Sequence, residues 1–114
     1  MAEVFHSGLP GVARDSEMAS ALFRAACDAH SPEACFDLAW AYEDGDGVPQ
    51  NDAMGVALLR RACDQGYAAG CNDAGAMYAW GRGVAPDPSE AWQLFFQACA
   101  RGEDDGCHNL GALE

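Results

Sequence analysis

Three pairs of cysteines repeat along this chain at an interval of 36 residues. The two members of a pair stand eight positions apart, and the pairs are Cys27 and Cys35, Cys63 and Cys71, and Cys99 and Cys107. A fixed interval of about 20 to 50 residues is the signature of repeat architectures, in which small units stack side by side. The cysteine spacing therefore predicts a stack of similar units.

The repeat extends well beyond the cysteines. An alanine precedes the first cysteine of each pair, at Ala26, Ala62 and Ala98, and the Gly-x-Gly-Val loop at 45–48 recurs at 81–84. Half of the residues are hydrophobic, so the chain is not a disordered segment. We expect one domain that consists of a partial unit (1–31), two full repeats (32–67 and 68–103) and a truncated unit (104–114).

Helical spacing of apolar residues, bounded by capping residues and glycines, predicts helices throughout. Asp15, Asn51 and Asp87 share one register, and each residue type accepts hydrogen bonds at helix N-termini. No segment alternates with period two, so no strand is expected. The sequence thus predicts an all-α fold of antiparallel helix pairs. The predicted helices cover residues 16–29, 32–43, 52–65, 68–79, 88–100 and 104–113, preceded by a short helical turn and a loop at 8–12.

The charge balance restricts the kind of partner. The formal net charge is −12, with 18 acidic residues against six arginines and no lysine. Such a surface repels nucleic acid and anionic membranes and favours basic proteins or peptides, although solubility alone also accounts for it. No apolar run approaches the ~18 residues of a membrane span. The first residues show no signal peptide, which leaves the compartment to be inferred from the cysteines.

These residues resemble the Sel1-like repeat family, relatives of the tetratricopeptide repeats. The resemblance is carried by the run at 37–42, the two Gly-x-Gly-Val loops and the capping residues Asn51 and Asp87. The cysteine pairs are similar to those of the cysteine-rich branch typified by the Helicobacter cysteine-rich proteins. The resemblance implies a right-handed α/α superhelical solenoid and an adaptor or scaffold role in protein complexes. Two positions depart from the pattern: His30 aligns with Gly66 and Gly102, and Gly55 aligns with Ala19 and Ala91.

The cysteine pairs are predicted to form disulfides. Each pair joins the last turn of one predicted helix to the first turn of the next. Six cysteines allow fifteen pairings, and strict repetition favours the local one. Zinc sites usually pair cysteines about two to four residues apart and redox motifs use Cys-x-x-Cys, so both alternatives are disfavoured. Disulfides indicate an oxidising compartment, secreted or periplasmic. The predicted bridges are Cys27–Cys35, Cys63–Cys71 and Cys99–Cys107.

A partner-binding groove is predicted on the helix that lines the concave face in tetratricopeptide-like solenoids. Aromatic residues would anchor an interface, the amides of Asn72 and Asn109 would bond a peptide main chain, and the carboxylates would favour Lys or Arg. The alternative is that the aromatics pack between helices and the acids are merely solvated. Trp92 and Phe96, on the fifth helix, are predicted to be packing residues; if exposed, they would mark a second contact or a dimer. The predicted groove residues are Glu33, Phe36, Asp37, Trp40, Glu43, Asp44, Asn72, Asp73, Ala76, Trp80, His108 and Asn109.

No sequence pattern marks a catalytic, cofactor or metal site. The serine β-lactamase signature needs a lysine three residues after the serine, and this chain has no lysine. Asp44 and Asp46 hint at a calcium loop, but the matching loop has Trp80 and Arg82 at those positions. We expect a non-enzymatic protein or peptide interaction module without a cofactor. The alternative is a β-lactam or cell-wall-related binder or weak hydrolase, and the partial end units also fit a truncated or designed fragment.

Overall fold

The computed structural model of this chain describes residues 10–113, with side chains from residue 15 onward. The described residues form six helices and contain no strand. Each helix packs mainly against its neighbours in the chain, which gives an elongated stack of 50 × 25 × 21 Å. The predicted all-α solenoid is confirmed. The helices are α1 (Pro10–Asp28), α2 (Pro32–Asp44), α3 (Asp52–Asp64), α4 (Ala68–Trp80), α5 (Pro88–Ala100) and α6 (Asp104–Leu113).

Three of the helices begin at side chains that satisfy free main-chain N–H groups. The side-chain oxygens of Ser31, Asn51 and Asp87 each accept a hydrogen bond from the N–H three residues later, at 3.3, 3.1 and 3.1 Å. Each such cap contributes about 1 kcal/mol. At the other end, α2 and α4 stop at Gly45 and Gly81, which adopt left-handed φ angles of 71° and 68°.

The first helix begins earlier than the sequence predicts. It starts at Pro10, so Asp15 lies inside α1 and does not cap it, and residues 10–12 are helical where a loop was expected. Proline suits a first helical turn because its missing N–H has no partner to lose there. Leu9 stands in register with Gly45 and Gly81, so the sequence lacks the glycine that ends a helix at this position in the later loops. Residues 1–9, which include the predicted helical turn, lie outside the described residues.

A large apolar residue recurs at one register position and lies in the core or against it. Phe23, Leu59 and Phe95 share one register, and Leu59 and Phe95 are fully buried while Phe23 packs against the core. Fully burying such a side chain contributes ~1.5 to 3 kcal/mol. Gly75 on α4 allows α5 to approach, because a Cβ there would lie 2.8 Å from the Phe95 ring. The small residue is therefore a requirement of the helix packing.

Three disulfides close the turns between paired helices. The bonds are Cys27–Cys35, Cys63–Cys71 and Cys99–Cys107, with Cα atoms 4.5 to 4.6 Å apart. In the chain-entropy model each short loop closed in this way contributes about 2.5 kcal/mol. Because such bonds persist in oxidising environments, they indicate an oxidising, extracytoplasmic compartment. Within the described chain, no helix has the length and apolar character needed to span a membrane.

Candidate functional site

A cavity of about 200 Å³ lies between α2 and α4, with two tryptophans in its wall. Trp40 on α2 is 44% exposed and Trp80 on α4 is 72% exposed. Tryptophan is one of the side chains enriched among the residues that dominate binding energy at protein interfaces. We call this cavity and its lining residues the tryptophan groove. The lining residues are Trp40, Glu43, Asp73, Ala76, Met77, Trp80 and Arg82.

Glu43 is a carboxylate that the helix packing takes out of water. The residue is 8% exposed, and Arg82 Nη1 lies 3.8 Å from its Oε1, beyond ordinary hydrogen-bond distance. The same guanidinium donates from Nε to Asp52 Oδ2 at 3.3 Å, so its charge is shared between two acids. Burial raises the pKa of Glu43, although Arg82 acts to lower it. The groove therefore contains a carboxylate whose charge is only partly compensated.

Asp73 is the second acid of the groove, and it projects from α4. Burial raises the pKa of Asp73 to about 6, and a hydrogen bond from the Asn72 side chain opposes that rise. The charges of Glu103 and Asp105 raise it further. The charged form of Asp73 is therefore less favourable than that of a fully solvated aspartate.

The groove continues toward α1 as a second cavity of about 290 Å³, which Asp37, Trp40 and Asp44 help to line. Burial raises the pKa of Asp37. Phe36 lies differently, because its ring packs edge-on against Tyr67 at 5.1 Å and against Trp40 at 6.2 Å. Phe36 therefore supports Trp40 from the core side, as a half-buried packing residue.

At the other end, a third cavity of about 240 Å³ lies beyond Trp80 and is lined in part by Asn109. Asn109 Nδ2 donates a hydrogen bond to Asn72 Oδ1 at 2.9 Å, and Asn72 is 8% exposed. These two amides thus bond to each other, which leaves only their remaining groups for a partner. Glu33 and His108 are exposed and line none of the three cavities.

Sequence reasoning missed two lining residues of the tryptophan groove. The sequence does not identify Met77 as a groove residue, because an apolar side chain at this position is equally consistent with the core. Arg82 belongs to the Gly-x-Gly loop, and its register partner is Asp46, so the repeat gave no signal for a cation here. No cluster of three or more metal-ligating side chains was found within the part of the chain that the structure describes.

Trp92 and Phe96 lie on the surface of α5, away from the groove. They are 40% and 51% exposed, and their rings stack at 5.4 Å. The sequence favours packing residues at these positions, but both side chains are exposed at the surface with their rings stacked on each other. Residues four apart share one helix face, so the stacked pair forms a single exposed aromatic patch on α5.

Two comparisons with known proteins, by family model and by solved structure, indicate the same family. The model of the Sel1 repeat matches residues 1–31, 32–67 and 68–103. A search of curated proteins returned no match for the sequence. A Sel1 repeat protein from Oxalobacter formigenes is 26% identical with a TM-score of 0.79, over 84% of this chain and 38% of that one.

Two further solved structures share the fold. Cysteine rich protein B from Helicobacter pylori is 27% identical with a TM-score of 0.77, over 80% of this chain and 68% of that one. A protective antigen of uropathogenic Escherichia coli with an SLR fold is 27% identical with a TM-score of 0.83, over 98% of this chain and 24% of that one. The chain thus spans well under half the length of two of the three proteins. Sel1 repeats are generally protein interaction modules and typically not catalysts, and with three matched repeats this chain belongs to the Sel1 repeat family.

Proposed function

We propose that this chain is a protein-interaction module that holds an extended, basic segment of a partner protein in the tryptophan groove. The observation that carries the proposal is that Trp40 and Trp80 are both exposed and line one cavity together with the acids Glu43 and Asp73. In such a groove the aromatic rings would supply most of the binding energy, while the acids would favour basic residues in the partner segment. The role of the module is that of an adaptor or scaffold.

The tryptophans support binding because their apolar surface is left in water. Burying apolar surface contributes roughly 25 cal/mol per Å², and an indole bears a large apolar area with few rotatable bonds. Phe36 reduces the entropy cost further, because its ring already restricts Trp40 from one side. A partner that covers both rings would therefore gain affinity with little loss of side-chain freedom.

Charge supports a basic partner. The net charge of −12 steers positively charged segments toward the chain and repels nucleic acid and anionic membranes. Locally, Asp37 and Asp44 border the cavity next to the groove, so acids extend along the path that a peptide would follow. Complementary charges mainly speed association and exclude unsuitable partners.

The proposal is tested by selecting peptides from a random display library on the intact, oxidised protein. Synthetic copies of the selected peptides are then titrated against the Trp40→Ala/Trp80→Ala variant. We expect at least a tenfold loss of affinity, because interface tryptophans commonly contribute about 2 kcal/mol or more. The matched control is Trp92→Ala/Phe96→Ala, which removes an exposed aromatic pair from another face and should leave affinity unchanged. Equal affinity for the groove variant and the wild type would show that the groove is not the binding site.

The alternative function is binding or slow hydrolysis of a β-lactam. It is tested with nitrocefin and the purified protein, where we expect no turnover above a heat-inactivated control. Measured turnover that is lost in a groove variant would replace the interaction proposal with an enzymatic one.

A further inference from the structure

We propose that the tryptophan groove contains a pocket for one arginine side chain of the partner, whose guanidinium lies against an indole ring and pairs with Glu43 and Asp73. This inference rests on the proposed function and deepens it, because it names the chemical group that the groove recognises. It is carried by the size of the cavity, the state of the two acids and the aromatic wall.

The cavity is the size of a side chain. Its volume is about 200 Å³, below the ~300 to 1,000 Å³ of pockets that enclose drug-sized ligands. A whole small molecule would therefore protrude, whereas one long side chain of a peptide lying in the groove would fit. The rest of the peptide would then lie over the neighbouring cavities, on either side of the tryptophans.

The packing around Glu43 makes room for a buried acid. On α3, a Cβ at Gly55 would lie 3.0 Å from Glu43 Cγ, so a glycine in mid-helix leaves space for the acid. In the next unit the corresponding residues are Ala79 and Ala91, which shows that the same helix pair can pack without an acid. Glycine inside a helix costs about 1 kcal/mol relative to alanine. The glycine that makes room for Glu43 therefore lowers the stability of α3, and such a cost is typical of a side chain kept for binding.

The two acids still have capacity to bind a cation. Arg82 lies 3.8 Å from Glu43 and is shared with Asp52, so it does not neutralise the groove. Burial raises the pKa of both Glu43 and Asp73, which means that their charged forms lack full solvation. A guanidinium placed between them would compensate the charge of both carboxylates.

Arginine suits this pocket better than lysine. The acids come from two different helices, α2 and α4, and a planar guanidinium offers five donors that can reach both at once. Its flat face also stacks on an indole, and tryptophan gives the strongest cation–π attraction of the aromatic residues. An ammonium group is a compact point charge that cannot bridge two separated carboxylates in the same way.

The test uses the three indole N–H signals of the ¹⁵N-labelled, oxidised protein, since the chain has three tryptophans. N-acetyl-arginine amide is titrated at pH 7.5, beside the amides of N-acetyl-citrulline and Nα-acetyl-lysine. We expect the signals of Trp40 and Trp80 to shift and saturate while that of Trp92 stays in place. Arginine should bind at least fivefold more tightly than citrulline, which has the same shape without the charge, and more tightly than lysine.

Two variants locate the cation within the pocket. Glu43→Gln and Asp73→Asn should each weaken arginine binding by about five- to tenfold, while the control Trp92→Phe should not change it. If one acid variant fails to fold, as judged by circular dichroism, the other still decides the question. Equal binding of arginine and citrulline, equal binding of lysine, shifts of all three indoles together, or unchanged binding in both acid variants would each overturn the arginine pocket.

The experiments can reject the arginine pocket without rejecting the interaction module, and the reverse. Display-selected peptides that depend on Trp40 and Trp80 but tolerate replacement of arginine by citrulline would remove the pocket and leave the module. Arginine-dependent indole shifts, with selected peptides that bind independently of both tryptophans, would leave the pocket and remove the proposed peptide groove.

Discussion

Gly55 on α3 and Glu43 on α2 fit together, because a Cβ on residue 55 would lie 3.0 Å from Glu43 Cγ and 3.5 Å from its Oε2. Thirty-six residues later, Ala91 and Ala79 occupy the same register without an acid. The glycine on α3 thus leaves the space that the Glu43 side chain occupies. This contact explains why the position holds glycine where the other units have alanine, the better helix former.

The Gly55–Glu43 pair is expected to show energetic coupling in a double-mutant cycle. Gly55→Ala alone should gain little or no stability, because the better helix propensity is offset by the crowding of Glu43. In a Glu43→Ala background, the same change should stabilise the protein by about 1 kcal/mol, the usual difference between glycine and alanine. Urea unfolding of the four proteins with intact disulfides gives the coupling energy.

The control for this cycle is Gly111→Ala in α6. A Cβ there meets nothing within 4 Å, so Gly111→Ala should stabilise the protein equally with Glu43 present or absent. Additive effects of Gly55→Ala and Glu43→Ala would show that the close approach has no energetic consequence.

Much of the fold could be predicted from the sequence because the repeat supplied the same signals more than once. Asn51 and Asp87 share a register and both cap helices, and the local cysteine spacing corresponds to the bridges in the structure. The start of α1 could not be predicted by this reasoning. Asp15 has the right residue type for a cap, but the loop glycine that would end a preceding helix is Leu9 in the sequence.

The groove was less predictable, because the repeat register indicates which helix face a residue lies on but not how deeply its side chain is buried. Trp40 and Trp80 could be assigned to one face, and both line the same cavity. The burial of Glu43 could not be inferred, since it depends on Gly55 in another helix. Arg82 was missed for a similar reason, because its pairing with Asp52 connects residues 30 positions apart in the sequence.

Asp73 is expected to make the protein more stable in mildly acidic solution. Its folded-state pKa, about 6, lies above the usual 3.8, so the folded protein binds the proton more tightly than the unfolded chain does. This contribution is fully present below about pH 4 and is lost as the pH rises through about 6. The charges of Glu103 and Asp105 raise the pKa of Asp73. On the neighbouring carboxyl of Glu43, the charge of Asp73 raises the pKa and that of Arg82 lowers it. We expect a higher Tm at pH 5 than at pH 7.5, measured by circular dichroism.

The Asp73→Asn variant isolates this effect from general charge repulsion. With a net charge of −12, acidification relieves repulsion in every variant, so only the difference between wild type and variant reports Asp73. The rise in Tm between pH 7.5 and 5 should be smaller in Asp73→Asn. Identical pH profiles would mean that Asp73 is more solvated than its burial indicates.

The disulfide near the C-terminal end is expected to be reduced first. Cys107 is exposed, whereas Cys63 and Cys71 are fully buried and Arg101 Nη1 lies 3.1 Å from Cys71 Sγ. Thiolate attack needs access to a sulfur, so accessibility should set the order of reduction. Partial reduction, alkylation and peptide mass spectrometry should find label on Cys99 and Cys107 before the other four cysteines. Label appearing first on the central pair would indicate that the stack opens in the middle before its end frays.

Two glycines with left-handed backbone are expected to differ sharply in their tolerance of a side chain. Gly66 has a φ of 95°, and a Cβ at this position would meet nothing within 4 Å. His30 occupies the same register with a φ of 72°. Gly83 has a φ of 79°, but a Cβ there would lie 2.7 Å from the main chain of Asp52, which cannot move without shifting α3. Gly66→Ala should therefore cost only the backbone strain, about 1 kcal/mol, whereas Gly83→Ala should cost about 3 kcal/mol or more. Urea unfolding with the disulfides intact measures both, and equal costs would show that the loop at 81–84 can move away from α3 without loss of packing.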